Sequence, residues 1–244
     1  MNGRAALVTG GSSGIGLAVG RALGRDGYGV TLSARRPEKL EEAARGLEQE
    51  GIDVHAVPAN MAKEDEIRAL TAAHRERFGR LDVLVNNAGL GIGAPIEQAE
   101  TKRVDLQFDV NLRGVYLMLR EAIPMLKEAG AEHGKALVVN TASIAGKYGQ
   151  PWLSAYSATK HAVVGLSQAA HGELSESGVQ VTALCPGFVE TAMTEWVRDQ
   201  VPAEKMIRPD DIAEAVRFLL RTSGNCFVPE IQFVRAGDVP GAGI

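Results

Sequence analysis

Cysteines are few, aromatic residues are few, basic charge is not in excess and no long apolar run occurs. Each shortage removes a class of proteins. Two cysteines in 244 residues, Cys185 and Cys226, cannot build a disulfide framework or a thiolate-rich metal site. With 26 Lys and Arg against 30 Asp and Glu the net charge is −4, so nucleic acid is not an expected partner. No uninterrupted apolar stretch reaches the roughly 18 residues of a spanning helix, so no membrane partner is expected. Met1-Asn2-Gly3-Arg4 runs straight into AALVTGG without a hydrophobic export segment, and a cytoplasmic location is the expectation. No histidine pair has metal-ligand spacing with a matching carboxylate, so no metal is expected.

What is present is an alternation. Short β-branched runs at 5–9, 29–34, 53–58, 81–86, 136–141, 179–185 and 227–234 predict strands. Between them, apolar residues at helical spacing predict helices at 15–25, 37–50, 63–78, 101–128, 153–177 and 209–222. Most strands are continuously apolar, which requires helices on both faces of a parallel sheet. The alternation continues without linker or repeat, so one α/β domain spanning 1–244 is expected. Right-handed connections lay strands outward from the first and reverse once, opening a crevice at the strands' carboxyl ends. Residues just after each strand are therefore the candidates for chemistry.

After the first strand stands Thr9-Gly10-Gly11-Ser12-Ser13-Gly14-Ile15-Gly16, followed by a helix. Glycine lets backbone approach a pyrophosphate, and a helix N-terminus offers free N–H groups and partial positive charge. No Lys followed by Ser or Thr closes the turn, which disfavours a nucleoside-triphosphate loop. The second strand ends Ser33-Ala34-Arg35-Arg36, with no acid before Glu38. A carboxylate there would accept from a ribose 2′-hydroxyl, whereas arginines hold a 2′-phosphate. NADP(H) is thus favoured over NAD(H), unless the arginines are merely a solvated helix start.

Tyr156-Ser157-Ala158-Thr159-Lys160 places a phenol and an ammonium four apart on one helix face. A nearby cation favours the phenolate, one way to obtain a tyrosine acid/base near neutrality. The fifth strand delivers Ser143 to the same edge, and the fourth ends Asn86-Asn87-Ala88-Gly89. Asn111 interrupts an otherwise apolar stretch, VNLRGVYLML.

Together TGGSSGIG (9–16), NNAG (86–89), Asn111, Ser143, YSATK (156–160) and PGFVET (186–191) resemble the short-chain dehydrogenase/reductase family in its compact, single-domain form. The likeness runs from about Arg4 to about Leu220. It implies a Rossmann-like, doubly wound, three-layer α/β/α fold with a seven-stranded parallel sheet in the order 3-2-1-4-5-6-7, and an Asn111–Ser143–Tyr156–Lys160 tetrad. By the same resemblance Tyr156 exchanges the proton, Ser143 polarises the carbonyl, Lys160 lowers the phenol's pKa and holds the nicotinamide ribose, and Asn111 positions a water. The phosphate turn would use Gly10, Ser12, Ser13, Gly14, Ile15 and Gly16, with Asn87 in the adenosine ribose region and Ala88 and Gly89 where the cofactor lies close to the backbone. Pro186, Gly187, Val189 and Thr191 would flank the carboxamide. Asn60-Met61 stands where the family usually has Asp and an aliphatic residue against adenine; Asn keeps a carbonyl acceptor but loses the charge.

Substrate-side positions are mostly apolar: Ile144, Tyr148, Trp152, Phe188, Met193 and Trp196, beside Ser143 and Tyr156. They suit a hydrophobic or aromatic carbonyl or secondary alcohol better than a sugar phosphate, with residues 192–206 as a lid. Pro229 inside the last predicted strand argues for an edge or a bulge. The resemblance implies a homodimer or homotetramer. A dinucleotide-binding regulator without activity is the competing reading, against which the complete tetrad speaks.

Overall fold

The computed structural model describes residues 3–238. Seven parallel strands form one sheet in the order β3-β2-β1-β4-β5-β6-β7. They are β1 (Ala5–Thr9), β2 (Gly29–Ala34), β3 (Val54–Pro58), β4 (Val83–Asn86), β5 (Ala136–Thr141), β6 (Val179–Pro186) and β7 (Glu230–Phe233). The helices are α1 (Gly14–Arg25), α2 (Pro37–Gln49), α3 (Glu64–Phe78), α4 (Thr101–Phe108), α5 (Gly114–His133), α6 (Ser154–Leu174) and α7 (Pro209–Arg221). No helix among the described residues is long and apolar enough to cross a membrane.

The two-residue strand period explains why both sheet faces are apolar. Leu7 of β1 and Val138 of β5 point to the core under α3, α5 and α6, with Met118, Leu126 and Val163. Their neighbours Ala6, Val8, Leu137 and Val139 point to the opposite core, with Val19 and Leu23 of α1, Leu40 of α2 and Val216 of α7. Helices therefore cover both faces. The order reverses between β1 and β4, which opens the crevice there.

Two elements differ from the sequence expectation. The helix predicted at 101–128 is interrupted by a π-helical turn, Asp109–Arg113, and α5 then runs on to His133. The wide turn carries Asn111 inward to 1% exposure, where its amide finds partners outside the helix. Pro124 lies within α5 on its exposed side, where the carbonyl that loses a donor is open to solvent instead of being buried. The last strand begins at Glu230, so Pro229 lies outside it, and β7 is an edge. Residues before it are held to β6 by side chains: Gln180 Nε2 donates to Gly224 O (2.9 Å) and Thr182 Oγ1 to Val228 O (2.7 Å).

Candidate active site

A cleft of about 940 Å³ lies along the carboxyl ends of the strands. Every residue expected at the site lines it except Gly16, Asn111 and Tyr148. Gly16 and Asn111 stand behind the wall. Tyr148 follows the short 3₁₀ helix Ile144–Gly146, its N–H donating to Ile144 O (3.0 Å), and is partly exposed outside the cleft lining. Gln150 and Trp152 line the cleft.

At the turn after β1, Gly10 has φ +67°, and a Cβ there would lie 2.8 Å from Asn87 Nδ2 and 2.9 Å from Ala88 Cα. A Cβ on Gly16 would strike Gly10 O at 2.3 Å. Only glycine allows α1 to start so close to β4. Asn87 Nδ2 donates to Thr9 O (3.2 Å) and Gly10 O (3.3 Å), which fixes the turn. The α1 N-terminus has no side-chain cap and no acidic residue in its first turn, leaving N–H groups for an anion. Ser33 Oγ, at the end of β2, is buried without a partner. Arg35 and Arg36 are exposed on the cleft rim and have no ion-pair partner among the described residues. The uncapped amides and the two unpaired guanidinium groups line the same cleft and are donors of the kind a phosphorylated dinucleotide needs. At the far end Asn60 Oδ1 accepts from Ala62 N–H (3.1 Å), so only its second lone pair faces outward.

At the other end of the cleft, α6 brings Tyr156 and Lys160 to the wall beside Ser143. Lys160 Nζ lies 5.6 Å from the Tyr156 ring centroid and donates to Thr141 O (2.7 Å). Ser143 Oγ donates to Pro186 O (3.3 Å) and accepts from Ala145 N–H (3.1 Å). Asn111 acts from behind: Nδ2 donates to Leu90 O (2.8 Å) and Thr159 Oγ1 (3.2 Å), while Oδ1 accepts from Leu90 N–H (2.9 Å). Its amide pins the loop after β4, a role that residue type alone did not reveal. Thr141 and Thr159 were also missed, because what they offer Lys160 and Asn111 exists only once β5 and α6 are packed.

Burial governs both titrating groups. It pushes the Tyr156 phenol above its usual 10, partly offset by the Ser143 hydroxyl. It pulls the Lys160 ammonium down to about 8. The nearby Cys185 thiol, pushed up to about 12 by burial, supplies no anion at neutral pH. In the free protein the phenol is thus held protonated, and the cation beside it is itself easily neutralised.

A stability consequence follows for Lys160, which is 4% exposed. Its fall from 10.5 to about 8 corresponds to an unfavourable burial of roughly 3 kcal/mol, against about 2 kcal/mol for the charge-assisted bond to Thr141. Lys160→Met should stabilise the unliganded protein by about 1 kcal/mol at pH 7, raising Tm by roughly 2–4 °C. Between pH 8 and 10.5 the unfolded chain holds the proton and the folded one does not, so wild-type stability rises through that window and the gap to Lys160→Met narrows. Thermal melts at pH 7 and 10 test this; a lower Tm for the variant at pH 7 contradicts it.

Known proteins share this fold. The short chain dehydrogenase family model matches residues 4–202. The chain is 35% identical to the 3-oxoacyl-(acyl-carrier-protein) reductase of Staphylococcus aureus, over 96% of this chain and 97% of the relative. It superposes on actinorhodin polyketide ketoreductase with NADPH at a TM-score of 0.86 and 34% identity, covering 94% of this chain and 95% of that one. A 3-ketoacyl-(acyl-carrier-protein) reductase from Brucella melitensis complexed with NADH also superposes at 0.86 and 34% identity, over 94% and 96%. A match across four-fifths of the sequence, on a sheet with this strand order, makes the chain a member of the short-chain dehydrogenase/reductase family of oxidoreductases.

Proposed function

We propose that the protein interconverts the carbonyl and secondary alcohol of an apolar small molecule, with NADP(H) as the dinucleotide. The observation that carries this reading is the continuity of one cleft from Arg35 and Arg36, past the uncapped start of α1, to Ser143 and Tyr156. The reduced dinucleotide, when bound, supplies the hydride. Tyr156 Oη gives the carbonyl oxygen its proton, and Ser143 Oγ holds that oxygen. The buried phenol is protonated at neutral pH, which favours the reducing direction. Lys160, with a value of about 8, returns a proton near neutrality.

The 2′-phosphate preference rests on Arg35 and Arg36 and on the absence of a carboxylate at the end of β2. Residues 192–206 serve as the lid. Val197, Val201 and Met206 pack on one another, and the segment is closed at its base by Glu190 N–H donating to Ile207 O (2.8 Å), so it can move as a unit. Half-exposed Phe108 and Tyr116 on α4 and α5 support self-association through those helices.

The test is loss of NADPH absorbance with ketones, aldehydes and, in reverse, alcohols. Turnover of at least one apolar carbonyl, faster with NADPH than NADH, is expected. Tight NADPH binding without turnover of any carbonyl would favour the inactive regulator.

A further inference from the structure

The chain contains two tryptophans, and the structure puts both on the same stretch of cleft wall. Trp152 is 48% and Trp196 49% exposed, their ring centroids 5.3 Å apart and tilted by 53°. Phe188 meets Trp196 edge-on at 6.2 Å. Half-exposed indoles inside a concave apolar site are surface awaiting a ligand.

The backbone is strained to hold one of them there. Trp152 has φ +67°, the one positive φ at a non-glycine residue among those described. That conformation costs a bulky residue roughly 1–3 kcal/mol. Its carbonyl accepts from Ala94 N–H (2.8 Å), and its ring lies on Gly93, where a Cβ would come within 2.3 Å of it. Two residues earlier, a Cβ on Gly91 would lie 3.6 Å from the Tyr156 ring. The short loop Gly91–Gly93 thus lies against both rings, which puts the indole and the phenol on one stretch of the cleft wall. The third element is charge. Arg235 stacks behind Phe188 at 5.7 Å but is paired with Asp238 (2.7 Å), so this wall presents no unpaired cation.

We infer that the preferred substrate is an uncharged ketone whose carbonyl is attached to or fused with a planar aromatic ring, the ring lying on Trp152 and Trp196 while the oxygen reaches Tyr156 and Ser143. This rests on the oxidoreductase reading above. The carbon gains the hydride, the oxygen gains the phenol's proton, and the product is a benzylic secondary alcohol with the dinucleotide oxidised. A flexible aliphatic ketone gains burial here but no stacking.

The ketones 1-tetralone and 2-decanone, equal in carbon count, test the inference. Wild-type kcat/KM should favour 1-tetralone by about tenfold or more, and Trp196→Ala should reduce that ratio about tenfold through KM, with Trp196→Phe retaining most of it. A wild-type ratio at or below one, or a ratio unmoved by Trp196→Ala, overturns the inference. A second readout needs no turnover. Because both tryptophans are in the cleft, 1-tetralol added to the Tyr156→Phe protein with NADP+ bound should change intrinsic emission saturably, and 2-decanol should not. No change with 1-tetralol also overturns the inference. If the emission changes but wild type reduces no ketone, the ring site stands and the oxidoreductase reading fails.

Discussion

Tyr156→Phe is expected to lower kcat for carbonyl reduction by about 10³-fold, the middle of the range for removing a positioned general acid. The phenyl ring preserves the packing on Gly91 and the α6 backbone, so the cleft keeps its shape. What disappears is the one proton donor beside Ser143 that is held protonated at neutral pH. Affinity for NADPH should fall by no more than one hydrogen bond, about 1 kcal/mol. Stopped-flow turnover and fluorescence titration of NADPH separate the two. Residual activity within tenfold of wild type would mean that another group delivers the proton, and the mechanism would have to be rebuilt. Reduction should be flat through neutrality and decline above about pH 8, where Lys160, which returns the proton, loses its charge; the phenol, raised by burial, titrates later. A rate that stays flat well past pH 8 would contradict the role given to Lys160.

The second large effect concerns dinucleotide choice. Arg35→Asp should weaken NADPH by roughly 100-fold or more, since a charge-assisted contact of about 1.5–3 kcal/mol is lost and replaced by repulsion. NADH should bind as well as before or better, because the new carboxylate can accept from the ribose hydroxyls. Both arginines are exposed, so the wild-type preference should also shrink as salt is raised. Parallel Kd measurements for both dinucleotides, at low and high salt, check this. An unchanged NADPH to NADH ratio in Arg35→Asp would return the two arginines to the status of a solvated helix start.

What the amino-acid order determined by itself was the architecture and the ends of the strands. Continuous apolar runs at Ala5–Val8 and Ala136–Val139 need cover on both faces, and helical periodicity between the strands supplies it. Right-handed crossover then leaves little freedom in strand order. Glycine at 10 and 16 was legible for the same reason: no other residue fits where a helix starts against a neighbouring strand. The position of Arg35 and Arg36 on the rim of the cleft was legible because they directly follow a strand end.

Tertiary structure alone decided what depends on distant partners. The π turn at Asp109–Arg113 breaks a helix whose periodicity runs on unbroken, because Asn111 gains three hydrogen bonds with Leu90 and Thr159 that local sequence cannot announce. Tyr148, expected on the substrate side, is not among the residues lining the cleft, because its place is set by the 3₁₀ helix Ile144–Gly146, which local sequence does not announce. The electrostatics changed most. Spacing predicted a cation lowering the phenol's pKa, whereas packing buries both groups, so desolvation raises the phenol and depresses the ammonium. Desolvation is a property of everything around a group at once, and it comes into being only when the chain closes over it.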